Sequence, residues 1–318
     1  MNLQTVTLGP SGPTVTALGI GTWAWGDSLF WSYGKDYGIE QIQAAFQAAL
    51  DAGINFFDTA EIYGLGESER LLGQFMQQTD DAVQVATKYF PWPWRFGGEA
   101  VKNALSASLK RLQVAKVPLY QVHWPFDFFM GQKPLMDALA DAVKQGQIEA
   151  VGVSNYSAEQ MRLAHQLLAD QGIPLSVNQV QYSLLARKIE CNGVLDAARQ
   201  LNVTILAYSP LAQGLLTGKY TPDNSQPPTG ARRLDPRFQL NGLKKVTPVI
   251  NLLQKIGNHY QRTPAQVALN WLIAQGNIVP IPGAKNADQA QQNAGSLGWT
   301  LSAAEIAEID QITRPWRN

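Results

Sequence analysis

A carboxylate, a phenol, an amine and an imidazole stand at or near the ends of apolar runs in this sequence. Asp58 ends the run in "INFFDTAEIYGLGESE", and Tyr63 follows in the same segment. Lys88 ends "AVQVATK", and His123 lies in "VPLYQVHW". A lysine ammonium paired with Asp58 would favour tyrosinate, so we expect the pKa of Tyr63 to lie below its usual value of about 10. With a hydrogen bond from His123, these groups suit proton delivery to a carbonyl oxygen.

Each of these residues also has an ordinary structural interpretation. Asp58 could cap the following loop, Tyr63 could be a rim aromatic, and Lys88 could be a solvated strand end. His123, taken alone, is more often a core histidine with satisfied hydrogen bonds. The functional interpretation is favoured over the structural one because all of these residues fall towards the carboxyl ends of predicted strands. Unrelated polar residues would not be expected to gather there. They supply no electrons, so a reductant must bind beside them.

The ends of the later strands carry groups that suit a dinucleotide. The amides of Asn155 and Gln179 suit a carboxamide, although Asn155 in "SNYSAEQ" could also cap a helix. Tyr208 offers a flat face for an aromatic ring. In a barrel of parallel strands, the loops after strands seven and eight usually form a phosphate site. These features predict a nicotinamide dinucleotide as the reductant.

Strand-like runs alternate with helical patterns along the whole chain. A strand is predicted over 15–23 and a helix over 40–53, and the alternation continues until eight strand–helix units are complete. No break in composition separates the units, so we predict a single domain over 1–318. Its fold class is α/β, a (β/α)8 TIM barrel with long loops on the carboxyl-terminal face. The stretch 221–231, rich in Pro, Gly and Asn, is predicted to be a long loop after strand seven, and loops of this length inside compact domains are usually functional or mobile.

A doubly wound open sheet is the competing architecture. It would place a G-x-G-x-x-G fingerprint after the first strand, and the sequence has none there. The segment "YGLGES" is only a weak echo of that fingerprint, and it follows the second strand at a distance. The pattern therefore favours the closed barrel.

The composition argues against several classes of partner. The 318 residues are 45% apolar and 16% charged, which predicts a large folded core. Lys plus Arg and Asp plus Glu each total 25, so nothing favours nucleic acid or an anionic membrane as a partner. The single cysteine, Cys191, and the absence of a signal-like or membrane-spanning run lead us to expect a cytoplasmic protein. The sequence indicates no oligomeric partner.

An ordered series of motifs resembles the aldo-keto reductase superfamily over nearly the full chain. The motifs are "GIGTW", "FFDTAEIYGLGESE", "VATKY", "LYQVHWP", "GVSNYS", "VNQVQYSLL", "AYSPLAQGLLTGKY" and "IPGAKNADQAQQN". The likeness is greatest to the bacterial and plant branch related to potassium-channel β subunits. It implies a barrel closed below by an N-terminal β-hairpin, around 3–16. It also implies that Tyr63 donates the proton, that Asp58 and Lys88 tune it, and that His123 orients the carbonyl.

The resemblance further implies hydride transfer from NADP(H), which binds extended without a Rossmann fold. Ser154, Asn155 and Gln179 would hold the carboxamide, Tyr208 would stack on the ring, and 209–218 would follow the pyrophosphate. The expected cofactor-binding residues are Gly21, Thr22, Trp23, Ser154, Asn155, Gln179, Tyr208, Ser209, Pro210, Leu211, Gln213, Gly214, Leu216, Lys219, Gly283, Lys285, Gln289, Gln292 and Asn293.

One residue departs from the family pattern near the adenosine end. Many members carry an arginine where this chain has Gln289. Lys285 is then the only full charge in the motif that could meet a 2′-phosphate, as a point charge rather than a bidentate fork. Asn286 is expected to cap the following helix. The sequence therefore favours NADP over NAD without requiring it.

Three segments around the predicted mouth are rich in aromatic residues. They are the region from Trp23 to Trp31, "YFPWPWRF" at 89–96 and "HWPFDFFM" at 123–130. Packing against the barrel rim accounts for part of them, and the rest could line an apolar pocket. Small or flat carbonyl compounds fit such a pocket: methylglyoxal-like dicarbonyls, short or aryl aldehydes, or pyridoxal.

Other functions have weaker support in the sequence. A metal-dependent hydrolase would need clustered ligands, but there are only three histidines, and we expect no metal site. A Schiff-base aldolase would need an unprotonated Lys88, whereas Asp58 should keep that amine protonated. A regulatory subunit that binds NADPH and turns over slowly is the remaining alternative.

Overall fold

The molecule is an eight-stranded barrel, seen here in a computed structural model that describes residues 4–126, 130–223, 232 and 235–317. The barrel strands are β3 (Ile20–Gly21), β4 (Phe56–Asp58), β5 (Gln84–Tyr89), β6 (Val117–Val122), β7 (Ile148–Ser154), β8 (Leu175–Gln181), β9 (Thr204–Tyr208) and β10 (Ile278–Pro280). All pair in parallel with their neighbours in chain order. Gly21 pairs with Gly283 and closes the ring, which confirms the predicted (β/α)8 barrel.

Helices follow the strands and cover the outside of the barrel. They are α1 (Ile39–Asp51), α2 (Glu67–Met76), α3 (Gly97–Leu112), α4 (Gln132–Lys144), α5 (Ala158–Ala169), α6 (Val194–Gln200), α7 (Leu240–Tyr260), α8 (Pro264–Ala274), α9 (Ala287–Ala294) and α10 (Ala303–Thr313). Capping side chains set the starts of four of them, α5, α8, α9 and α10. Ser157 accepts from the backbone N–H of Gln160 and so begins α5, which means that Ser157 and not Asn155 is the cap. Asn286 caps α9 as expected.

A short hairpin, β1 (Thr5–Thr7) and β2 (Thr14–Thr16), closes the amino-terminal end of the barrel. Leu8 and Val15 are fully buried there against inward-facing apolar side chains of the barrel strands. The turn of the hairpin touches the barrel directly, because a Cβ at Gly9 would lie 2.5 Å from the Cα of Ser176. The predicted N-terminal hairpin is therefore confirmed.

The carboxyl-terminal ends of the strands carry the long loops, as the sequence predicted. Two of the expected loop segments lie partly outside the described residues: 221–231 is described only at 221–223, and 123–130 lacks 127–129. Helix α10 and the short 3₁₀ segments were not predicted, because they follow the last strand–helix unit or interrupt loops. Within the described ranges, no helix has the length and apolarity needed to cross a membrane.

Candidate active site

An ion pair sits inside the barrel at the carboxyl-terminal end of β4 and β5. Lys88 Nζ donates to Asp58 Oδ2 at 2.6 Å, and both side chains are almost fully buried. The same ammonium donates to the backbone carbonyl of Thr59 at 2.8 Å and lies 3.5 Å from the hydroxyl of Tyr63. The end of β4 and the loop that follows it thus supply three oxygen contacts to the buried amine of Lys88, from Asp58, Thr59 and Tyr63.

Two glutamines, one on β6 and one on β8, satisfy the other oxygen of the carboxylate. Gln179 Nε2 donates to Asp58 Oδ1 at 2.7 Å, and Gln121 Nε2 donates to the same oxygen at 3.2 Å. These two amides complete the hydrogen bonding of the carboxylate that is paired with Lys88. Gln121 was missed by the sequence analysis, although its position on β6 next to Lys88 was a signal that could have found it. Gln179, expected at a carboxamide, gives its amide nitrogen to Asp58 in this structure.

Tyr63 is placed by an unusual turn. It begins a 3₁₀ segment, Tyr63–Gly66, in which Gly64, Leu65 and Gly66 all have positive φ. A Cβ at Gly64 would lie 2.7 Å from the carbonyl oxygen of Gly26, so only glycine fits this close approach. The turn directs the phenol to Lys88 and sets its ring 5.7 Å from that of His123.

The pKa of Tyr63 is raised well above 10, in contrast to the expected decrease. Burial disfavours the charged phenolate, and the negative Asp58 and the nearby Tyr208 add to the shift. The expectation was wrong because it counted the ammonium and left out the desolvation of the phenol. The consequence is a phenol that stays protonated at neutral pH and therefore holds the proton it would donate.

Burial also lowers the pKa of Lys88 from its usual value of 10.5, while Asp58 opposes the decrease by charge and by hydrogen bond. The sequence analysis considered only that opposing contribution. The pKa of His123 is lowered well below 6.5, first by burial and then by Lys88. His123 is thus a neutral imidazole, and its Nδ1 has no hydrogen-bond partner among the described residues. A neutral ring carries one N–H for donation to a carbonyl oxygen.

A buried hydroxyl network fixes the loops around these groups. Thr22 Oγ1 lies 3.0 Å from the carbonyl of Asp58 and 2.8 Å from Ser68 Oγ, and Thr59 donates to the same serine at 2.9 Å. Glu69 accepts from Thr87 at 2.5 Å. Ser68 and Glu69 of "GESE" are therefore structural residues that join the first turn of α2 to the barrel.

The ends of β7, β8 and β9 form a second polar chain beside His123. Ser154 Oγ donates to the carbonyl of Gln179 at 2.9 Å, and Asn155 Nδ2 donates to the carbonyl of His123 at 3.2 Å. Tyr208 donates to Asn155 Oδ1 at 3.1 Å. Asn155 has φ of 62°, a conformation that asparagine tolerates better than most residues. The predicted carboxamide residues therefore do lie together, although their polar atoms are partly engaged with one another.

The segment after β9 has a strongly turned backbone. Ser209, Ala212 and Gln213 all have positive φ although none is a glycine, and Gly214 continues the pattern. Such conformations each cost of order 1 kcal/mol or more and tend to occur at functional sites. Two of the N–H groups are engaged within the segment, because those of Ala212 and Gly214 donate to the carbonyls of Ser209 and Leu211 at 2.9 Å. The path of a pyrophosphate along this segment stays a prediction.

A basic and aromatic cluster lies at the far end of the mouth. The ammonium of Lys285 lies 4.7 Å from the ring centre of Trp31 and 4.5 Å from that of Tyr37, and the guanidinium of Arg232 lies 5.6 Å from Trp31. Burial, Arg232 and Lys219 lower the pKa of Lys285 to about 8. The sequence analysis treated Lys285 as the only charge of its motif and missed Arg232, which arrives from the long loop after β9.

Comparison with known proteins decides the family. Residues 17–314 match the sequence profile of the Aldo/keto reductase family. The chain belongs to this family. It is 40% identical to "Pyridoxal reductase, chloroplastic" of Arabidopsis thaliana, over 98% of this chain and 86% of the relative, and 35% identical to "Aldo-keto reductase yakc [NADP(+)]" of Schizosaccharomyces pombe, over 93% and 88%.

Solved structures show the same relationship. The glycerol dehydrogenase AKR11B4 from Gluconobacter oxydans superposes with a TM-score of 0.86 at 28% identity and covers 99% of this chain and 96% of its own. An aldo-keto reductase from Klebsiella pneumoniae, solved in complex with NADPH, superposes with a TM-score of 0.76 at 30% identity, over 98% of this chain and 96% of its own. The predicted membership of the aldo-keto reductases is confirmed, and this chain is an oxidoreductase of that family.

In this aldo/keto reductase, the remaining predicted residues lie at the barrel closure, in the segment after β9 and on or just before α9. Gly21 and Gly283 face each other at the barrel closure, with Thr22 buried and Trp23 exposed just beyond. Gln289 accepts from the backbone N–H of Lys285 at 2.9 Å, and Asn293 donates to the carbonyl of Gly283 at 3.2 Å. The others lie in the turned segment after β9 or on α9: Pro210, Leu211, Leu216, Lys219 and Gln292. Their roles in cofactor binding stay predictions.

Proposed function

We propose that this aldo/keto reductase uses NADP(H) to reduce small aldehydes and ketones. One observation carries the proposal: Tyr63, with a protonated phenol, lies between Lys88 and the neutral His123 at the open end of the barrel. These residues form a proton-donating site for a carbonyl oxygen. They contain no electron donor, so the reaction needs a reductant beside them.

The residues around the mouth fit a phosphorylated dinucleotide. The cations of Lys285 and Arg232 lie over the Trp31 ring, and Trp31 Nε1 is buried without a hydrogen-bond partner among the described residues. Lys219 adds a third positive charge that acts on Lys285. A cluster of cations with a lowered lysine pKa is stabilised by a multiply charged anion such as a 2′-phosphate. The relatives solved or named with NADPH or NADP(+) support the same cofactor.

The reduced nicotinamide, when bound, supplies a hydride to the carbonyl carbon. Tyr63 donates its phenolic proton to the carbonyl oxygen as negative charge develops there. Lys88 stabilises the phenolate that remains, because its ammonium lies 3.5 Å from the phenolic oxygen. Asp58, fixed by the amides of Gln121 and Gln179, keeps Lys88 in place. His123 orients the carbonyl by donating a hydrogen bond from its neutral ring.

Aromatic side chains around the mouth support small or flat substrates. Trp23, Phe30, Trp94 and Trp124 are all more than a third exposed, and the Trp23 ring lies 6.1 Å from that of Tyr63. Such surfaces favour methylglyoxal-like dicarbonyls and short or aryl aldehydes. Pyridoxal is a specific candidate, because the Arabidopsis relative named as a pyridoxal reductase is 40% identical over 98% of this chain.

The experiment is a substrate panel followed by NADPH absorbance. We expect oxidation of NADPH with at least one class among dicarbonyls, short aldehydes, aryl aldehydes and pyridoxal. NADPH binding without turnover on every carbonyl would contradict the proposal and favour the regulatory alternative. The single domain over 1–318 and the cytoplasmic location stay predictions from the sequence.

A further inference from the structure

An ion pair outside the proposed proton-donating group joins two of the loops at the mouth. Glu61 lies in the loop between β4 and Tyr63, and Arg95 lies in the aromatic loop after β5. The two guanidinium nitrogens of Arg95 contact the two carboxylate oxygens of Glu61 at 2.5 and 2.9 Å. The Glu61 side chain is only 8% exposed and that of Arg95 22%. A bidentate and largely buried pair has more geometric specificity than an exposed one.

The same pair holds the backbone of the aromatic loop at its first residue. The N–H of Phe90 donates to Glu61 Oε1 at 2.6 Å. Arg95 Nη1 donates to the carbonyl of Phe90 at 2.9 Å. The guanidinium also lies 5.0 Å from the ring centre of Tyr89, which is fully buried. Both backbone polar groups of Phe90 are therefore fixed by two side chains that belong to different loops.

Phe90 begins a row of rings that we call the aromatic wall: Phe90, Trp92 and Trp94. The Phe90 ring lies 5.6 Å from that of His123 and 4.5 Å from that of Trp92. Trp92 in turn stacks on Trp94 at 4.8 Å with an interplanar angle of 11°. Trp94 is 66% exposed, so little of its surface is held by packing against the barrel. The aromatic wall is held at its first residue, Phe90, whose backbone is hydrogen-bonded to Glu61 and Arg95.

We propose that Glu61 and Arg95 are positioning residues that hold the aromatic wall against His123 and thereby set a preference for planar aromatic carbonyls over short aliphatic ones. The proposal rests on the proposed function of the site. A planar substrate stacks on rings that are already ordered, so less conformational freedom is lost when it binds. A short aliphatic carbonyl makes few contacts beyond His123 and Tyr63 and gains little from the wall.

The test is Arg95→Gln, with two carbonyls and the cofactor measured separately. We expect the KM for a benzaldehyde-type substrate to rise about tenfold, while the KM for propanal and the NADPH dissociation constant change less than about twofold; a tenfold change is about 1.4 kcal/mol. Arg95→Lys keeps the charge without the fork and should restore part of the loss. The matched control is Arg70→Gln, which removes the exposed Arg70–Glu67 pair of 2.9 Å on α2 and should change neither KM.

A spectroscopic measurement reports on the wall without turnover. Two closely stacked indoles produce an exciton couplet in far-UV circular dichroism, and Trp94→Phe identifies the contribution of the Trp92–Trp94 pair. We expect Arg95→Gln to reduce this couplet and Arg70→Gln to leave it unchanged. Should Arg95→Gln not fold, Glu61→Gln serves as the second variant, because its amide keeps an acceptor but removes the charge.

Three results would overturn the positioning role: an unchanged couplet, an equal rise in both KM values, or weaker NADPH binding in Arg95→Gln. Failure of the proposed function has a different signature, which is no reduction of any carbonyl by the wild-type protein. In that case the couplet still decides whether the ion pair holds the wall.

Discussion

At the scale of single residues, burial decides the protonation states of the site more than neighbouring charge does. The phenol of Tyr63 and the imidazole of His123 are both held in their neutral forms, with burial as the largest cause in each. In the proposed mechanism, the neutral phenol is the donor and the neutral imidazole is the orienting group. The two roles are compatible because neither requires a charge in the resting protein.

Removing the phenolic hydroxyl tests the proton donor. Tyr63→Phe keeps the ring that lies against Trp23 and His123 but takes away the acidic proton. We expect carbonyl reduction to fall by about 10²–10⁴-fold, the usual range for general acid–base catalysis, with NADPH binding retained. Single-turnover kinetics and fluorescence titration check both parts. Turnover near that of the wild type would exclude Tyr63 as the donor.

The lowered pKa of Lys285, about 8, predicts a pH-dependent cofactor preference. Below this pH the ammonium is charged and attracts a 2′-phosphate. Above it the free protein loses that charge, so we expect NADPH affinity to fall as the pH rises through about 8, whereas NADH affinity stays flat. Lys285→Ala should weaken NADPH binding by about 1.5–3 kcal/mol, the range for a hydrogen bond to a charged group, and abolish the pH effect.

The measurement is the dissociation constant of each cofactor by fluorescence quenching at fixed salt, from neutral to alkaline pH. Arg232 is one of the causes that lower the pKa of Lys285, so Arg232→Ala should weaken NADPH binding and move the alkaline fall to higher pH. Equal losses of NADPH and NADH affinity in Lys285→Ala would show that this lysine does not recognise the 2′-phosphate.

At the scale of elements, strands β4 and β5 position Asp58 and Lys88, whereas short turns direct Tyr63 and the segment after β9. The turn that carries Tyr63 places three successive residues at positive φ, and the segment after β9 does the same with Ala212, Gln213 and Gly214. Helices and strands supply a rigid frame, since the barrel strands are hydrogen-bonded on both sides. The direction of a side chain above that frame depends on a few backbone angles in each loop.

Glycine at position 64 is expected to be required for the turn. Gly64→Ala places a methyl group 2.7 Å from the Gly26 carbonyl oxygen, in addition to about 1–2 kcal/mol for the left-handed conformation. We expect a loss of stability larger than this conformational cost alone, and a lower kcat because Tyr63 is displaced. Gly146→Ala is the control, since Gly146 has φ of +72° but nothing within 4 Å of the added carbon. Denaturant unfolding and kcat of the two variants should therefore differ; matching values would contradict the role of the close approach.

At the scale of the whole molecule, the two ends of the barrel have different tasks. The amino-terminal end is closed by the hairpin, whose Leu8 and Val15 are fully buried. The carboxyl-terminal end is open and polar, and it holds Asp58, Lys88 and Tyr63. We therefore expect stability and the proposed chemistry to be separated along the barrel axis, as is common in this architecture.

Truncating a buried side chain of the hairpin tests whether stability and activity depend on different ends of the barrel. Leu8→Ala leaves a cavity in the packed lower end, and such substitutions usually cost about 2–5 kcal/mol. We expect the free energy of unfolding to fall by that amount, with kcat and KM unchanged well below the melting temperature. Urea unfolding and steady-state kinetics on one preparation measure both quantities. A loss of kcat in proportion to stability would show that the two ends are coupled.

The sequence by itself determined the strand–helix alternation, the closed barrel and the set of residues that meet at its mouth. These follow from local signals: apolar periodicity, capping residues such as Asn286, and polar residues at strand ends. The meeting of Asp58, Lys88, Tyr63 and His123 was predictable because parallel strands present their carboxyl ends at one side of the barrel.

Only the tertiary structure decided which atoms are in contact and how their environment shifts the pKa values of the titratable groups. Gln121 and Gln179 both donate to one oxygen of Asp58. Arg232 acts on the charge of Lys285, and Arg95 forms an ion pair with Glu61. The partners of each contact are far apart along the chain. Loop conformation sets such distances, and the composition of a loop does not specify it. The pKa of Tyr63 shifted upwards rather than downwards for a related reason: desolvation depends on the whole surrounding volume, which a list of charged neighbours does not contain.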